Sequence, residues 1–303
     1  MDDRADVCVL IPTLNEGETI GDVIDGFHEQ GLENVLVVDG HSSDDTVSVA
    51  REHGARVVTQ TGSGKGQAVR EAVDRYVDAP YVLMLDGDGT YRPEDADALL
   101  DPLLSGRADH VIGDRFADLR DGAMTGMHRF GNGVVNRAFS FVHGRNLADI
   151  LSGYRAFTRD SFDRMRLSSD GFEVETEMSV ECVKNDVATA VVPISYLPRP
   201  DESDANLRSF RDGGRILLTL YMLAKTNNPF FYFGSIGVVS SLFGVALGAY
   251  VGVEWVTRHV SHEILAVVAA FAILFGVQLL MFGVLSDLIV TLHREQLRRI
   301  DEE

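Results

Sequence analysis

The segment Tyr81-Val82-Leu83-Met84-Leu85-Asp86-Gly87-Asp88 decides the fold, because an apolar strand ends there in two carboxylates. A near-continuous apolar run is typical of a strand that is buried on both faces. Similar runs occur at residues 7–12, 34–39, 55–60 and 109–114, and helical patterns occupy residues 17–30, 44–53, 65–78 and 93–104. This alternation predicts an α/β fold of the Rossmann-like type, with a mostly parallel sheet and helices on its faces.

The two carboxylates at this strand end, Asp86 and Asp88, are separated by a single residue. Carboxylate oxygens are the ligands that Mg²⁺ and Mn²⁺ prefer, and two of them leave coordination positions for phosphate oxygens. A metal ion bound to a diphosphate makes it a better leaving group. The pair therefore predicts a Mg²⁺ or Mn²⁺ site.

The composition narrows the possible partners. The chain has 303 residues and a net charge of -19, and its lysines are Lys65, Lys184 and Lys225 alone. Such acidity predicts a hydrated surface adapted to high salt, where counterions screen the repulsion between carboxylates. No basic stripe is present, which argues against nucleic-acid binding. The acidic N-terminus has no apolar stretch of the signal-peptide type, as expected for a cytoplasmic catalytic domain.

Two segments near the C-terminus, residues 230–253 and 264–286, carry no charged side chain. Each is long enough to cross a hydrocarbon core of about 30 Å as a helix, and a buried soluble hairpin is the alternative. Arginines and a lysine flank the outer ends of the two segments, while Arg258 is the only arginine or lysine in the loop between them. By the positive-inside rule, the chain is expected to be a two-span protein of the cell membrane with the large domain in the cytoplasm. Gly244, Gly248 and Gly252 line one face of the first segment and favour either packing within the hairpin or a homo-oligomer.

The predicted domain organisation follows from the change along the chain from alternating strand and helix patterns to long uncharged segments. A catalytic domain is expected at residues 1–206, a juxtamembrane interfacial helix at 207–228, two transmembrane helices at 229–290 and a cytoplasmic tail at 291–303. Residues 127–143 also mix arginine with bulky apolar groups, like the predicted interfacial helix.

Polar motifs follow four of the predicted strands, at the sheet edge where open α/β folds bind ligands. They are PTLNE at 12–16, DGHSSDDT at 39–46, GSGKG at 62–66 and DGDGT at 86–90. Over about residues 6–115 their order resembles the family 2 glycosyltransferases of the GT-A fold. The segments GDRF at 113–116 and DILSGYR at 149–155 resemble motifs of the dolichol-phosphate sugar synthases in that family, which also end in a juxtamembrane helix and transmembrane helices.

The resemblance implies a role for each matching residue on the donor side. Glu16 and Asp39 would hold the ribose and base, with turn capping as the alternative for Asp39. Lys65, at a glycine-rich helix start, would meet the donor phosphate. The expected nucleotide-sugar site consists of Pro12, Asn15, Glu16, Asp39, Lys65 and Asp86, and the expected metal ligands are Asp86 and Asp88.

The acceptor side is expected to use arginine, whose planar donors suit a phosphate. The candidates are Arg115, Arg129, Arg155 and Arg199, with a surface arginine as the alternative for each. Asp149 would position the acceptor or a water, with helix capping as its alternative. The expected catalytic residues are thus Asp88, Arg115 and Asp149. Three acids at a predicted helix start are interpreted as mainly structural, namely Glu173, Glu175 and Glu177.

The reaction that the resemblance implies is inverting transfer of a hexose to dolichyl phosphate in the membrane. The expected donor is UDP-glucose, and GDP-mannose is the alternative. VDGHSSDDT and DGDGTY, with the acidic composition, resemble haloarchaeal members that begin lipid-linked glycan assembly for S-layer N-glycosylation. A phosphate monoester is ionised near neutral pH, with a second pKa of about 6, so positioning and charge shielding replace a strong general base.

Two other functions fit this chain less well. A processive polysaccharide synthase would carry a Gln-x-x-Arg-Trp motif, which is absent because the chain's single tryptophan, Trp255, follows Val253 and Glu254. An inactive membrane-tethered nucleotide-sugar binder is the non-enzymatic alternative, and the intact pair Asp86 and Asp88 argues against it.

Overall fold

The computed structural model describes residues 3–120, 122–199 and 228–301, together with residues 214, 218, 220–222, 224 and 225. The chain forms two compact units, an α/β unit at Met1–Leu220 and a helical unit at Tyr221–Glu303. The interfacial helix predicted for residues 207–228 lies mostly outside the described residues.

The α/β unit alternates strands with helices, as its sequence predicts. The strands are β1 (Val7–Thr13), β2 (Val35–Asp39), β3 (Arg56–Thr59), β4 (Tyr81–Met84), β5 (His110–Leu119), β6 (Arg155–Thr158) and β7 (Thr189–Tyr196). The helices are α1 (Ile20–Glu29), α2 (Thr46–Glu52), α3 (Lys65–Arg75), α4 (Ala96–Leu104), α5 (Gly126–His143), α6 (Arg159–Asp163) and α7 (Val174–Lys184).

The strands form a single seven-stranded sheet in the order β3-β2-β1-β4-β6-β5-β7. Strand β1 lies parallel to both β2 and β4, whereas β6 lies antiparallel to β4 and β5. The prediction of a mostly parallel Rossmann-like sheet is confirmed. The antiparallel strand β6 is an addition that the apolar runs did not predict.

Hydrophobic side chains cover both faces of this sheet. Val9, Val37 and Leu83 belong to one core cluster, and Leu10 and Met84 belong to the other. All residues of β1 and β2 are buried. Because alternate side chains enter opposite cores, the strand register is fixed, and Thr13 of β1 lies beside Asp39 of β2. The carboxyl ends of β1, β2 and β3 therefore meet at one edge.

The helical unit contains two long apolar helices, α8 (Pro229–Arg258) and α9 (Glu263–Asp301). Each includes a helical segment of 30 residues that is long and apolar enough to cross a membrane. The helices approach closely at glycines, since a Cβ at Gly244 would lie 2.7 Å from the carbonyl oxygen of Ala269. That contact supports the packing alternative for Gly244, whereas a Cβ at Gly252 would meet nothing within 4 Å.

Candidate active site

The carboxylate of Asp86, just beyond β4, is held by the ammonium of Lys65. Lys65 is the first residue of α3, and its Nζ pairs with Asp86 Oδ1 and lies 2.5 Å from Oε1 of Glu175. Glu175 belongs to the first turn of α7 and is buried. One ammonium thus joins two carboxylates from distant parts of the chain. Glu175, which the sequence analysis interprets as mainly structural, therefore contributes to the site.

Burial and these contacts shift the proton affinities of the group. Burial by itself lowers the pKa of Lys65, but the negative charges of Asp86 and Glu175 outweigh it and raise the pKa well above its usual value. Burial raises the pKa of Asp86, and Lys65 opposes that rise while Asp88 adds to it. Lys65 therefore stays charged near neutral pH and compensates the carboxylates around it.

The backbone at Gly153 packs directly against this ion pair. A Cβ at this position would lie 2.6 Å from Asp86 Oδ2 and 3.1 Å from Lys65 Nζ. The adjacent Gly153 N–H donates a hydrogen bond of 2.9 Å to the hydroxyl of Tyr91. Any larger residue here would force the Asp86 and Lys65 side chains to shift, because the loop before β6 covers Asp86 closely.

The second carboxylate, Asp88, is held by two partners. Its Oδ1 accepts hydrogen bonds from the backbone N–H of Thr90 at 3.1 Å and from the Thr90 hydroxyl at 2.6 Å. Its Oδ2 pairs with Nη2 of Arg199. The structure therefore brings a predicted metal ligand and a predicted acceptor arginine into direct contact, and gives Thr90 the role of orienting Asp88.

A buried ion pair joins Arg115 of β5 to Asp149. Arg115 donates from Nε to Asp149 Oδ2 at 2.6 Å and from Nη2 to Oδ1 at 2.9 Å, and Asp149 is fully buried. The guanidinium also lies over the ring of Tyr196, 5.3 Å from its centroid. Burial lowers the pKa of Arg115, but the charge of Asp149 outweighs this and raises it. Arg115 is thus a fixed positive charge, with its orientation set by Asp149.

Glu16 lies near these charges, at the end of the β1 loop. The residue is 8% exposed, and its Oε2 makes no hydrogen bond with any described residue. Burial, with a further contribution from the charge of Asp88, raises the pKa of Glu16 to about 8. A largely protonated carboxyl can donate as well as accept a hydrogen bond, which suits contact with a sugar hydroxyl.

Asn15 and Asp39 stabilise the loops at this edge. Asn15 has a φ of 55° and its Oδ1 accepts the N–H of Ser43 at 2.8 Å, which ties the β1 loop to the β2 loop. Asp39 accepts the N–H groups of His41 and Ser42, both at 3.1 Å. The turn-capping interaction considered for Asp39 is therefore present. The remaining donor-site candidate, Pro12, is buried within β1 and paired with Val38 of β2.

The two other arginine candidates lie in different environments. Arg155 is fully buried, and its guanidinium donates to the carbonyl oxygens of Ser152 and Ile150 at 2.9 and 2.7 Å and to the hydroxyl of Ser179 at 3.0 Å. These contacts argue against the prediction that Arg155 binds an acceptor phosphate, and we assign it a structural role. Arg129 lies on α5 and is exposed.

The arrangement suits a metal ion whose coordination shell is completed by oxygens of a bound ligand. Among the described side chains of residues 3–120, 122–199 and 228–292, no three His, Cys, Asp or Glu residues form a metal-holding group. Mg²⁺ commonly takes one or two protein carboxylates and fills its other positions with phosphate oxygens and water. Asp86 and Asp88 each attract a cationic side chain, so this corner of the sheet edge already favours positive charge.

Comparisons with known proteins agree with this architecture. The family model "Glycosyl transferase family 2" matches residues 8–166. The chain is 63% identical to glycosyltransferase AglJ of Haloferax volcanii over 98% of this chain and 97% of that protein. It is 33% identical to a dolichyl-phosphate hexose transferase of the same organism, over 70% of this chain and 90% of that protein.

Solved structures show the same fold at lower identity. Glucosyl-3-phosphoglycerate synthase of Mycobacterium tuberculosis, crystallised with Mn²⁺, UDP-glucose and phosphoglyceric acid, superposes with a TM-score of 0.60. The identity is 23%, over 72% of this chain and 79% of that one. This similarity shows that the α/β unit has the GT-A fold.

Proposed function

The chain belongs to glycosyl transferase family 2, and on that premise we propose that it transfers a hexose from a nucleotide sugar to dolichyl phosphate. The observation that carries the proposal is the contact between Asp88 and Arg199. It joins the carboxylate pair that suits a metal–diphosphate to an arginine that suits a second phosphate. Donor and acceptor phosphates would thus meet at one place on the sheet edge.

The donor half of the site is formed by Asp86, Asp88, Lys65 and Glu16. The two carboxylates fit Mg²⁺ or Mn²⁺, which when bound would neutralise negative charge that develops on the departing diphosphate. Lys65 remains charged beside Asp86 and can direct an N–H toward a donor phosphate oxygen. Glu16 is placed to hold a ribose hydroxyl.

The acceptor half is formed by Arg115 and Arg199. The bond between Arg115 and Asp149 uses Nε and Nη2, so the donors on Nη1 are available for a phosphate oxygen. Because Asp149 fixes the guanidinium before any ligand arrives, binding a phosphate there loses little side-chain entropy. The acceptor phosphate oxygen would attack the anomeric carbon as the bond to the diphosphate breaks, which inverts that carbon. No base is needed, because the phosphate is already ionised.

A membrane location supports a polyprenyl acceptor. Helices α8 and α9 are long and apolar enough to cross a bilayer. Helix α5 carries exposed apolar side chains, among them Met127, Phe130 and Phe141. Such a helix suits the interface of a bilayer, where it would help to bring the lipid's phosphate to the α/β unit. We place that unit in the cytoplasm, by the distribution of arginine and lysine around the spans.

We assign UDP-glucose as the donor, by the resemblance of the donor motifs, and the first lipid-linked step of S-layer N-glycosylation as the setting. The test offers radiolabelled UDP-glucose and GDP-mannose in parallel to membranes that contain the chain, at high salt with dolichyl phosphate and Mg²⁺. Label in the lipid extract from UDP-glucose alone, lost in Asp88→Asn, is the expected result. Label from GDP-mannose would show that GDP-mannose, and not UDP-glucose, is the donor. The absence of lipid label from either nucleotide sugar would exclude both the assigned donor and the dolichyl phosphate acceptor.

A further inference from the structure

The side chain of Gln60 is a buried amide at the carboxyl edge of the sheet, without a partner for its oxygen. Gln60 directly follows β3 and is 4% exposed. Its backbone N–H donates to the carbonyl of Asp39 at 3.0 Å, which fixes the residue beside the end of β2. Its side-chain Oε1 is buried and accepts no hydrogen bond from any residue that the structure describes. A buried acceptor without a donor is unfavourable, so this position suits a ligand that supplies one.

The amide lies beside Gly40, the residue that follows β2. A Cβ at Gly40 would lie 3.2 Å from Gln60 Nε2 and 3.1 Å from the carbonyl oxygen of Thr13. Glycine at this position therefore leaves room for the Gln60 amide beside the residue that follows β2. A Cβ at position 40 would require the amide to shift by a few tenths of an ångström.

The sheet order places Gln60 on the side of the carboxylates that faces away from Arg115. Strands β4, β1, β2 and β3 are successive neighbours, so three spacings of ~4.8 Å put Gln60 about 14 Å from the carboxylates after β4. A base linked through ribose to a diphosphate at Asp86 and Asp88 can extend along that edge. The opposite direction leads to β6 and β5, where Arg115 is placed for the acceptor.

The residue that sequence reasoning assigned to the base, Asp39, is already engaged. Its two carboxylate oxygens accept N–H groups of the turn that follows β2. Removing Asp39 would disturb that turn as well as any ligand contact. Gln60, by contrast, presents an acceptor that the fold itself does not use.

From this placement we propose that Gln60 is a specificity-determining residue that reads the polar edge of the donor's uracil. Its Oε1 accepts the hydrogen bond of the base N3–H, and its Nε2 donates to an adjacent carbonyl oxygen of the base. The inference rests on the proposed function, because it takes the nucleoside diphosphate to be the uridine compound.

The test measures binding of UDP to the full-length, detergent-solubilised chain at high salt by titration calorimetry. Gln60→Met keeps the length of the side chain and removes both polar groups. We expect a 10- to 100-fold weaker affinity for UDP, with an unfolding temperature that is unchanged or raised because the unpartnered oxygen is gone. A purely structural role for Gln60 predicts the reverse, a lower unfolding temperature with unchanged affinity. Gln30→Met, after α1 at the other edge of the sheet, is the matched control and should leave the affinity unchanged.

A second measurement needs no variant. 3-Methyluridine diphosphate lacks the N3–H, so the unaltered chain should bind it at least tenfold more weakly than UDP, and Gln60→Met should remove most of that difference. Equal binding of UDP by the unaltered chain and Gln60→Met, or equal binding of the two diphosphates by the unaltered chain, would overturn the proposal while leaving the transferase assignment intact. Binding of GDP without UDP would overturn the uridine donor and this proposal together.

Discussion

Replacing Arg199 is expected to tighten the binding of a divalent metal ion while it slows transfer to the lipid. The guanidinium of Arg199 pairs with Asp88, the carboxylate that we assign to the metal, and the two side chains are 28% and 7% exposed. A metal ion and Arg199 therefore compete for the same carboxylate. Arg199→Gln removes the resident positive charge and keeps a polar, uncharged side chain that is shorter than arginine.

The size of the effect follows from the geometry of the pair. Two unit charges about 4 Å apart attract each other by about 4 kcal/mol at an effective dielectric constant of about 20. Partial solvent exposure of Arg199 and the entropy of its long side chain reduce the net value to about 1–2 kcal/mol. That free energy corresponds to a metal dissociation constant about 5- to 30-fold lower in the variant.

The assay follows the spectroscopic signal of free Mn²⁺ during titration of the solubilised chain, with and without UDP. Arg199→Lys keeps the charge and should resemble the unaltered chain. Arg92→Gln removes an exposed arginine that pairs with Glu94 at 3.2 Å, and it should not change the metal affinity. In parallel, the KM for dolichyl phosphate should rise in Arg199→Gln. Unchanged or weaker Mn²⁺ binding in Arg199→Gln would refute the competition that we infer from the contact.

Three other substitutions test the remaining parts of the site. Asp149→Asn leaves the buried charge of Arg115 without its counter-ion, so the free energy of unfolding should fall by about 3 kcal/mol in denaturant titrations, and by less when Arg115→Met accompanies it. Folded Glu16 has a pKa of about 8 and keeps a proton that the unfolded chain loses near pH 4.5. Its contribution to the free energy of unfolding, about 2 kcal/mol after a discount for solvent screening, is therefore lost as the pH rises from 4.5 to 8. Glu16→Gln should flatten this pH dependence of stability, measured by thermal unfolding. Gly153→Ala places a methyl group 2.6 Å from Asp86 Oδ2 and should lower the transfer rate at least tenfold by radiolabel assay, whereas Gly252→Ala, with open space around its Cβ, should not.

The central strands could be predicted from sequence because burial on both faces leaves a plain signal. The apolar runs that end at Thr13, Asp39 and Asp86 need no long-range information, and parallel packing then brings their ends to one edge. The position of the two carboxylates after β4 follows directly. This local pattern accounts for the success of the fold prediction.

The contacts that organise the site were not predictable in the same way. Lys65 meets Glu175, and Asp88 meets Arg199, only because helices and loops far apart in sequence fold onto one edge. The engagement of Arg155 was not visible in the sequence, because a motif arginine has the same signature whether it faces a ligand or a buried network of carbonyl groups. Charge and residue type identify such candidates, but only packing shows which of them are already engaged.

The central claim is transfer of a hexose to a lipid phosphate, and product stoichiometry tests it most directly. The purified chain, in liposomes with synthetic dolichyl phosphate, Mg²⁺ and UDP-glucose, should release one UDP for each lipid that gains one hexose, as quantified by mass spectrometry of the lipid extract. Asp88→Asn should abolish both products. Release of UDP without a hexose-bearing lipid, or a hexose-bearing lipid formed equally by Asp88→Asn, would contradict the account.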